Sequence, residues 1–245
     1  MYNKVIYIKI FLFLFFCNHS FSQTEYGIAV YGVKKAEAIF NNKNLSQKEL
    51  LQTVEAEIEQ NLPYLNFSLK FNGNEAVFEV QKAILDNGDR DRGKRIAFVI
   101  AQGYNKFYYN TKTDTIIMQT DAYGTTFRIF SKFDDLSWDL LPESKMIDGF
   151  LCYKAVTSYT TVNEAGSFIK KVIAWYAPNL PNPYGPAGFA GLPGLILELR
   201  DNKLLYYLKK ISFKEKYQIE KFEKGKIVTK EELENFAFEN ANFRN

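Results

Sequence analysis

The 245-residue chain is 47% apolar and 16% aromatic, which is ample for a core and leans toward strands. Its 31 basic and 28 acidic residues leave a formal charge of +3, too small for a global attraction to nucleic acid or an anionic membrane. One histidine and two cysteines in the whole chain exclude a multi-disulfide framework and leave little for metal or nucleophilic chemistry.

Residues 1–22 read as a secretory signal peptide. Lys4 gives the positive start, with Lys9 further in, and residues 10–16 form an unbroken apolar run. Ser20 and Ser22 put small residues at the −3 and −1 positions, so Gln23 begins the mature chain. A transmembrane span needs about 20 apolar residues, and this run stops short at Asn18 and His19. An acylated Cys17 would call for a small residue before it, where the bulky Phe16 stands. Removal of the leader takes His19, Cys17, Lys4 and Lys9 and no acid, so the formal balance falls from +3 to +1. Cys152 is then the sole thiol. Such a chain makes no internal disulfide, runs no Ser-His or Cys-His nucleophilic catalysis, and builds no zinc site of His and Cys ligands. No metal and no cofactor is expected. The protein is placed outside the cytoplasm, in the periplasm or cell envelope or secreted, with no membrane span after the leader.

Residues 26–34 read as a first strand and 41–45 as a loop. Ser46 and Glu49 form a capping box before Leu50, Leu51, Val54, Ile58 and Leu62, which recur at helical spacing until Pro63 stops them. Leu65, Phe67, Leu69 and Phe71 alternate with polar residues, Asn72-Gly73 turns the chain, and 75–82 returns as a hairpin. The charged stretch 86–95 reads as a loop. Strands over 96–101, 106–110, 115–120 and 125–132 follow as an antiparallel meander. Further strands are expected at 136–141, 150–160 and 168–176. A Pro/Gly-rich segment at 178–193 leads to a hairpin of 195–199 and 204–213 across Asp201-Asn202. Residues 214–230 alternate Lys and Glu as a solvated edge or extended tail. Thr229 and Glu232 open a helix over 229–238. With no repeat and no linker, residues 23–245 form one β-rich domain.

Each chemical constellation has a plain alternative. Asp89, Asp91 and Gly93 suggest a calcium loop, but counting from Asn87 puts Arg92 where the glycine belongs and Phe98 where the glutamate belongs. Interleaved with Arg90, Lys94 and Arg95, the stretch reads as a solvated hairpin tip. Asp134, Asp135, Asp139 and Glu143 cluster in sequence as a carboxylate pair would, yet so do ordinary surface acids. Cys152 shares a strand face with Lys154, but a lone cysteine is usually a small buried hydrophobe. Tyr108-Tyr109 and Tyr206-Tyr207 each put one ring on either face of the sheet.

The string Gly191-Leu192-Pro193-Gly194-Leu195-Ile196 follows Ala174-Trp175-Tyr176-Ala177-Pro178, Tyr184-Gly185-Pro186 and Phe189. Upstream stand Ser137-Trp138, Glu143-Ser144-Lys145, Ile147-Asp148-Gly149-Phe150 and Cys152-Tyr153-Lys154-Ala155. Together they resemble the GLPGLI family of exported proteins of Bacteroidota, over residues 134–200. The resemblance implies export and no assigned activity. One departure stands out: the family often has a Gly-Arg pair before the Ala-Trp strand, where this chain has Ile169-Lys170-Lys171.

The glycines permit a sharp turn or close backbone approach, Pro193 fixes its own φ, and the leucines and isoleucine are apolar plugs. That describes either a lid closing the core or a rim that gates a cavity or meets a partner. The candidate rim is Trp175, Pro178, Pro186, Phe189, Gly191, Leu192, Pro193, Gly194, Leu195 and Ile196. The expected architecture is mainly β (α+β): a strongly curved antiparallel sheet or half-barrel of about ten strands. One long helix near the N-terminus packs in or over the concave face, and a short helix ends the chain. It is similar to the half-barrels of periplasmic lipoprotein carriers. The expected function is a non-enzymatic module that binds an apolar or extended ligand, or an envelope protein. The alternatives are an enzyme using carboxylates or Tyr/Lys, and a purely structural envelope subunit.

Overall fold

The structure, a computed structural model, describes residues 26–40, 47–81, 91–163, 166–213 and 218–242. The expected leader, the 41–45 loop, Ser46 and the first half of the charged stretch 86–95 lie outside the described residues.

The fold is mainly β. Twelve strands form one open sheet, where about ten were expected: β1 Tyr26–Lys35, β2 Asn66–Asn72, β3 Glu75–Val80, β4 Lys106–Asn110, β5 Thr115–Ala122, β6 Thr125–Ser131, β7 Asp139–Ile147, β8 Phe150–Asn163, β9 Gly166–Ala177, β10 Leu195–Asp201, β11 Leu204–Phe213 and β12 Lys226–Ile227. Their order is β12-β6-β5-β4-β3-β2-β1-β11-β10-β9-β8-β7. Every neighbouring pair is antiparallel except β12 and β6. Consecutive strands thus pair from β2 to β6, with a helix in the connection between β3 and β4, and again from β7 to β11, with residues 178–194 between β9 and β10, and β1 joins the two halves.

Period-two patterning fixes the faces. Phe67, Leu69 and Phe71 of β2 stand opposite Val80, Phe78 and Ala76 of β3 on one face, which we call inner. There Phe67 stacks on Phe78 with centroids 5.3 Å apart, and Tyr206 of β11 meets both rings edge-on. Val77, Tyr108 and Ile117 bury a small outer cluster beneath Ile219 and Phe222. The stretch expected as a solvated edge or extended tail therefore supplies the exposed edge strand β12 and, through Ile219 and Phe222, covers part of the outer face. Arg128 holds it by donating to the Phe222 carbonyl at 2.9 Å, as Gln119 does to that of Lys224, also at 2.9 Å.

Helix α1, Lys48–Asn61, sinks Ile58 into the inner core, followed by Leu62 in the 3-10 turn Leu62–Tyr64 that carries Pro63. Lys35 of β1 ties it down through Glu55 at 3.2 Å and Glu59 at 2.5 Å. A second helix replaces the strand expected at 96–101 and the end of the charged loop: α2, Arg92–Ile100. Asp91 caps it, accepting from the Lys94 amide at 3.1 Å, and Ala97, Phe98 and Ala101 are buried at helical spacing. Tyr206 donates to the Ala101 carbonyl at 3.1 Å, joining α2 to the inner face. Gly93 permits its approach to α1, because a Cβ there would lie 2.7 Å from Asn61 Nδ2. Helix α3, Lys230–Asn242, begins at the reciprocal Thr229–Glu232 cap and sets Phe236 against Phe127 at 4.9 Å.

The strand expected at 136–141 also moves. A 3-10 turn, Phe133–Asp135, comes first, and β7 starts at Asp139 and runs through Pro142 to Ile147. Pro142 is tolerated because β7 is an edge strand, and the pairing shifts between Leu141 and Ser144. Among the described residues, no helix is long and apolar enough to cross a membrane.

Candidate functional site: the 178–196 corner and its cleft

Between β9 and β10 the chain dives under the inner face instead of crossing the surface. Leu180, Tyr184, Ala187, Phe189, Ala190 and Leu192 are all buried there. Backbone bonds fold the segment on itself: Leu195 donates to the Leu180 carbonyl at 2.8 Å, Ile196 to that of Tyr184 at 3.0 Å and Gly191 to that of Pro183 at 3.0 Å. Tyrosines from distant strands hold it from above. Tyr109 of β4 donates to the Gly185 carbonyl at 2.8 Å and accepts from the Gly188 amide at 3.0 Å. Tyr31 of β1 donates to the Ile196 carbonyl at 2.6 Å. Burial pushes the pKa of both phenols far up, so they stay protonated and act as fixed donors. The Tyr184 hydroxyl is buried without a hydrogen bond of normal geometry; the Thr111 side chain approaches it and partly offsets the upward push of burial.

Two glycines make the path possible. At Gly194 a Cβ would sit 2.3 Å from the Ala177 carbonyl oxygen, a backbone atom that cannot rotate away. At Gly191, φ is +90° and a Cβ would lie 2.9 Å from the Phe133 carbonyl oxygen.

The candidate rim thus separates into two environments. Pro186, Phe189, Leu192, Gly194, Leu195 and Ile196 are buried. Gly191, Pro193 and Pro178 are exposed. Trp175 is elsewhere: it lies on the outer face, where Lys145 Nζ stands 4.4 Å above its ring and pairs with Glu198 at 2.6 Å.

The exposed end of the corner forms one wall of a cleft of about 420 Å³. Gly191, Leu192 and Pro193 face Phe133, Leu136, Ser137, Trp138 and Leu140 across it, and Asp114 and Asp134 complete the lining. Trp138 is fixed in this position, since its indole N–H donates to the Ala190 carbonyl at 2.9 Å and its ring meets Phe189 edge-on. The two sequence blocks around Trp138 and Gly191 therefore meet in space. Sequence reading did not group Phe133, Leu136, Leu140 or Asp114 with the rim; the nearness of Ser137-Trp138 was the available signal for the first three, and Asp114 had none because only the fold brings it there. Tyr31 and Tyr109 carried no local signal, because their partners lie 165 and 76 residues away.

A larger cleft of about 600 Å³ lies on the outer face beside residues 218–224. Its lysines Lys70 and Lys106 are both within ion-pair distance of Glu79, at 3.2 and 3.9 Å. It reflects the gap between strap and sheet, and neither sequence block reaches it.

The other candidates are dispersed. Asp135 accepts from the Lys132 amide at 2.8 Å as a turn cap. Glu143 pairs with Lys154 at 3.0 Å, and that ammonium holds its carboxyl below the usual range. Asp139 is exposed at the start of β7. Cys152 is buried, and burial pushes its thiol up to about 11, so it packs as a neutral side chain. Tyr109 and Tyr206 belong to the inner core, while Tyr108 lies under the strap and Tyr207 under Lys34. Among the described residues, no three of His, Cys, Asp and Glu converge as a metal site requires.

A comparison with curated proteins gives no match. Two solved structures of PNGF-II, in the C2 and P21 space groups, align with TM-scores of 0.52 and 0.53 at 11% and 10% identity. Each alignment covers 87% of this chain and 33% of that one, so the chain spans about a third of the length of PNGF-II. At that identity the likeness is one of fold. A family model described as a protein of unknown function (Porph_ging) matches residues 160–198, which take in Trp175 and the whole 178–196 corner but stop short of the Trp138 block.

Proposed function

We propose that the chain is an exported interaction module of the cell envelope, without catalysis of its own, which holds an extended or apolar segment of a partner at the cleft between Trp138 and Pro193. We read the open sheet as a half-barrel whose hollow is occupied by its own chain. The observation that carries this is the filled inner face: α1, α2 and the 178–196 corner all pack into one core. The cleft is then the apolar concavity that adjoins the corner and still faces solvent. It continues onto β7, an edge strand whose Leu140 and Met146 are 56% and 62% exposed. Edge strands offer backbone groups to an added strand. Pro142 and the shift beside it limit such pairing to a short stretch, which also discourages uncontrolled association.

A purely structural envelope subunit is the second reading, favoured by the same filled interior and bare β7 edge. An enzyme using carboxylates or Tyr/Lys finds less support, since Asp135 and Glu143 are engaged in caps and pairs.

The test is in-cell photocross-linking with p-benzoylphenylalanine in place of Leu140 or, as a control on β11, Lys210. The reading expects discrete adducts from position 140 and none from 210. Equal labelling at both positions, or none at 140, contradicts it.

A further inference from the structure

We propose that the cleft selects a cationic partner segment: an extended peptide that lays an apolar side chain against Trp138 and Leu140 and sets a Lys or Arg against Asp114 and Asp134. This rests on the reading of the cleft as the docking site and adds the chemistry of what docks.

The argument is one of local charge. The lining holds two carboxylates and no basic residue. Asp114 and Asp134 come from different elements, the β4–β5 turn and the 3-10 turn Phe133–Asp135, so their meeting at one cleft is a product of the fold. Asp114 is held in place: its Oδ1 accepts from the Phe133 amide at 3.2 Å. The neighbouring Asp135 is spent on the Lys132 amide, which leaves Asp114 and Asp134 as the acids of the lining. The chain as a whole is close to neutral, so long-range steering is weak and the local sign decides which partner is accepted. An acidic segment meets repulsion there. A purely apolar one strips water from two carboxylates without replacing it. A cation beside an apolar side chain satisfies both walls.

The walls are also preorganised. Trp138 is pinned to the Ala190 carbonyl, and Pro193 is stiff, so less order must be imposed on binding.

The test uses the full chain and three fluorescein-labelled pentapeptides, Leu-Lys-Leu-Lys-Leu, Leu-Gln-Leu-Gln-Leu and Leu-Glu-Leu-Glu-Leu, followed by anisotropy. The lysine peptide is expected to bind about tenfold tighter than the glutamine peptide, with the glutamate peptide weakest. That advantage should vanish in an Asp114→Asn, Asp134→Asn double variant, in which the asparagine at 114 still accepts from the Phe133 amide, and should shrink as salt is raised. Equal binding of the lysine and glutamine peptides, both lost in Leu140→Ser, overturns the charge preference and leaves the cleft as a docking site. Absence of binding by all three, or binding indifferent to Leu140→Ser, overturns both.

Discussion

The 178–196 corner and the stretch from Phe133 to Ile147 touch each other, yet they have opposite characters. The corner is folded inward, its polar backbone satisfied by Tyr31, Tyr109 and its own amides. The facing stretch is a short turn and an edge strand, mostly exposed, with Trp138 reaching back to the Ala190 carbonyl and Phe133 to the Tyr184 ring. The motif richest in Gly and Pro is therefore the structural element, and the plainer block beside it supplies most of the accessible surface. A distinctive string need not be where binding happens; here its glycines answer to carbonyl oxygens 2.3 and 2.9 Å from where a Cβ would be.

The sharpest way to break this contrast is Gly194→Val. The added Cβ meets the Ala177 carbonyl, so either β9 or the corner must move. A loss of about 4 kcal/mol or more is expected, seen as a collapse of the urea midpoint or of soluble yield. A midpoint near the parent's would show that the corner yields easily and is no part of the core.

Leu195→Ala comes next. Leu195 is fully buried, and its truncation should cost about 2 to 5 kcal/mol through lost burial and the cavity left behind. A loss below about 1 kcal/mol would mean that the site collapses freely.

Tyr109→Phe isolates the hydroxyl. It leaves the Gly185 carbonyl and the Gly188 amide without that partner while keeping the ring, and should cost about 1 to 3 kcal/mol. Tyr207→Phe, on the outer face, serves as the control and should stay within about 0.5 kcal/mol of the parent.

The smallest effect concerns pH. Asp201 is buried and accepts from the Tyr159 hydroxyl at 2.9 Å; burial raises its carboxyl above the ordinary aspartate range, more than Tyr159, Lys170 and Lys230 lower it. The folded chain then keeps this proton to higher pH than the unfolded one. Stability falls as pH rises from the unfolded value of about 3.9 through the raised folded value, and is flat above it. Asp201→Asn removes that slope and should be slightly more stable than the parent at neutral pH, with the gain fading on acidification. Urea midpoints across that range check it; a variant less stable at neutral pH would mean that Lys170 and Lys230 outweigh burial.

Local signals carried much of the fold. Asn72-Gly73 between alternating runs marks the β2–β3 hairpin, and Thr229 with Glu232 forms the cap at the start of α3. They were legible because their partners lie within a few residues. Helix α2 was not, since a short apolar run fits either period and its cap, Asp91, sits among charges that look like a loop tip. The cleft was legible only in part. Trp138 and Gly191 stood out as residue types, but their meeting depends on the order β10-β9-β8-β7 and on a bond across 52 residues. The inward turn of 178–196 depends on Tyr31 and Tyr109, whose reach across the sheet no spacing in the sequence reveals.

The most direct test of the central claim is a paired measurement on Leu195→Ala and Leu140→Ser: the urea midpoint of each, and the binding of each to the lysine pentapeptide under conditions where both are folded. The account predicts that Leu195→Ala lowers the midpoint but, while folded, binds as the parent does, and that Leu140→Ser keeps the parent midpoint but loses binding. The reverse pattern, with Leu195→Ala as stable as the parent yet unable to bind, would contradict it and make the corner the docking element.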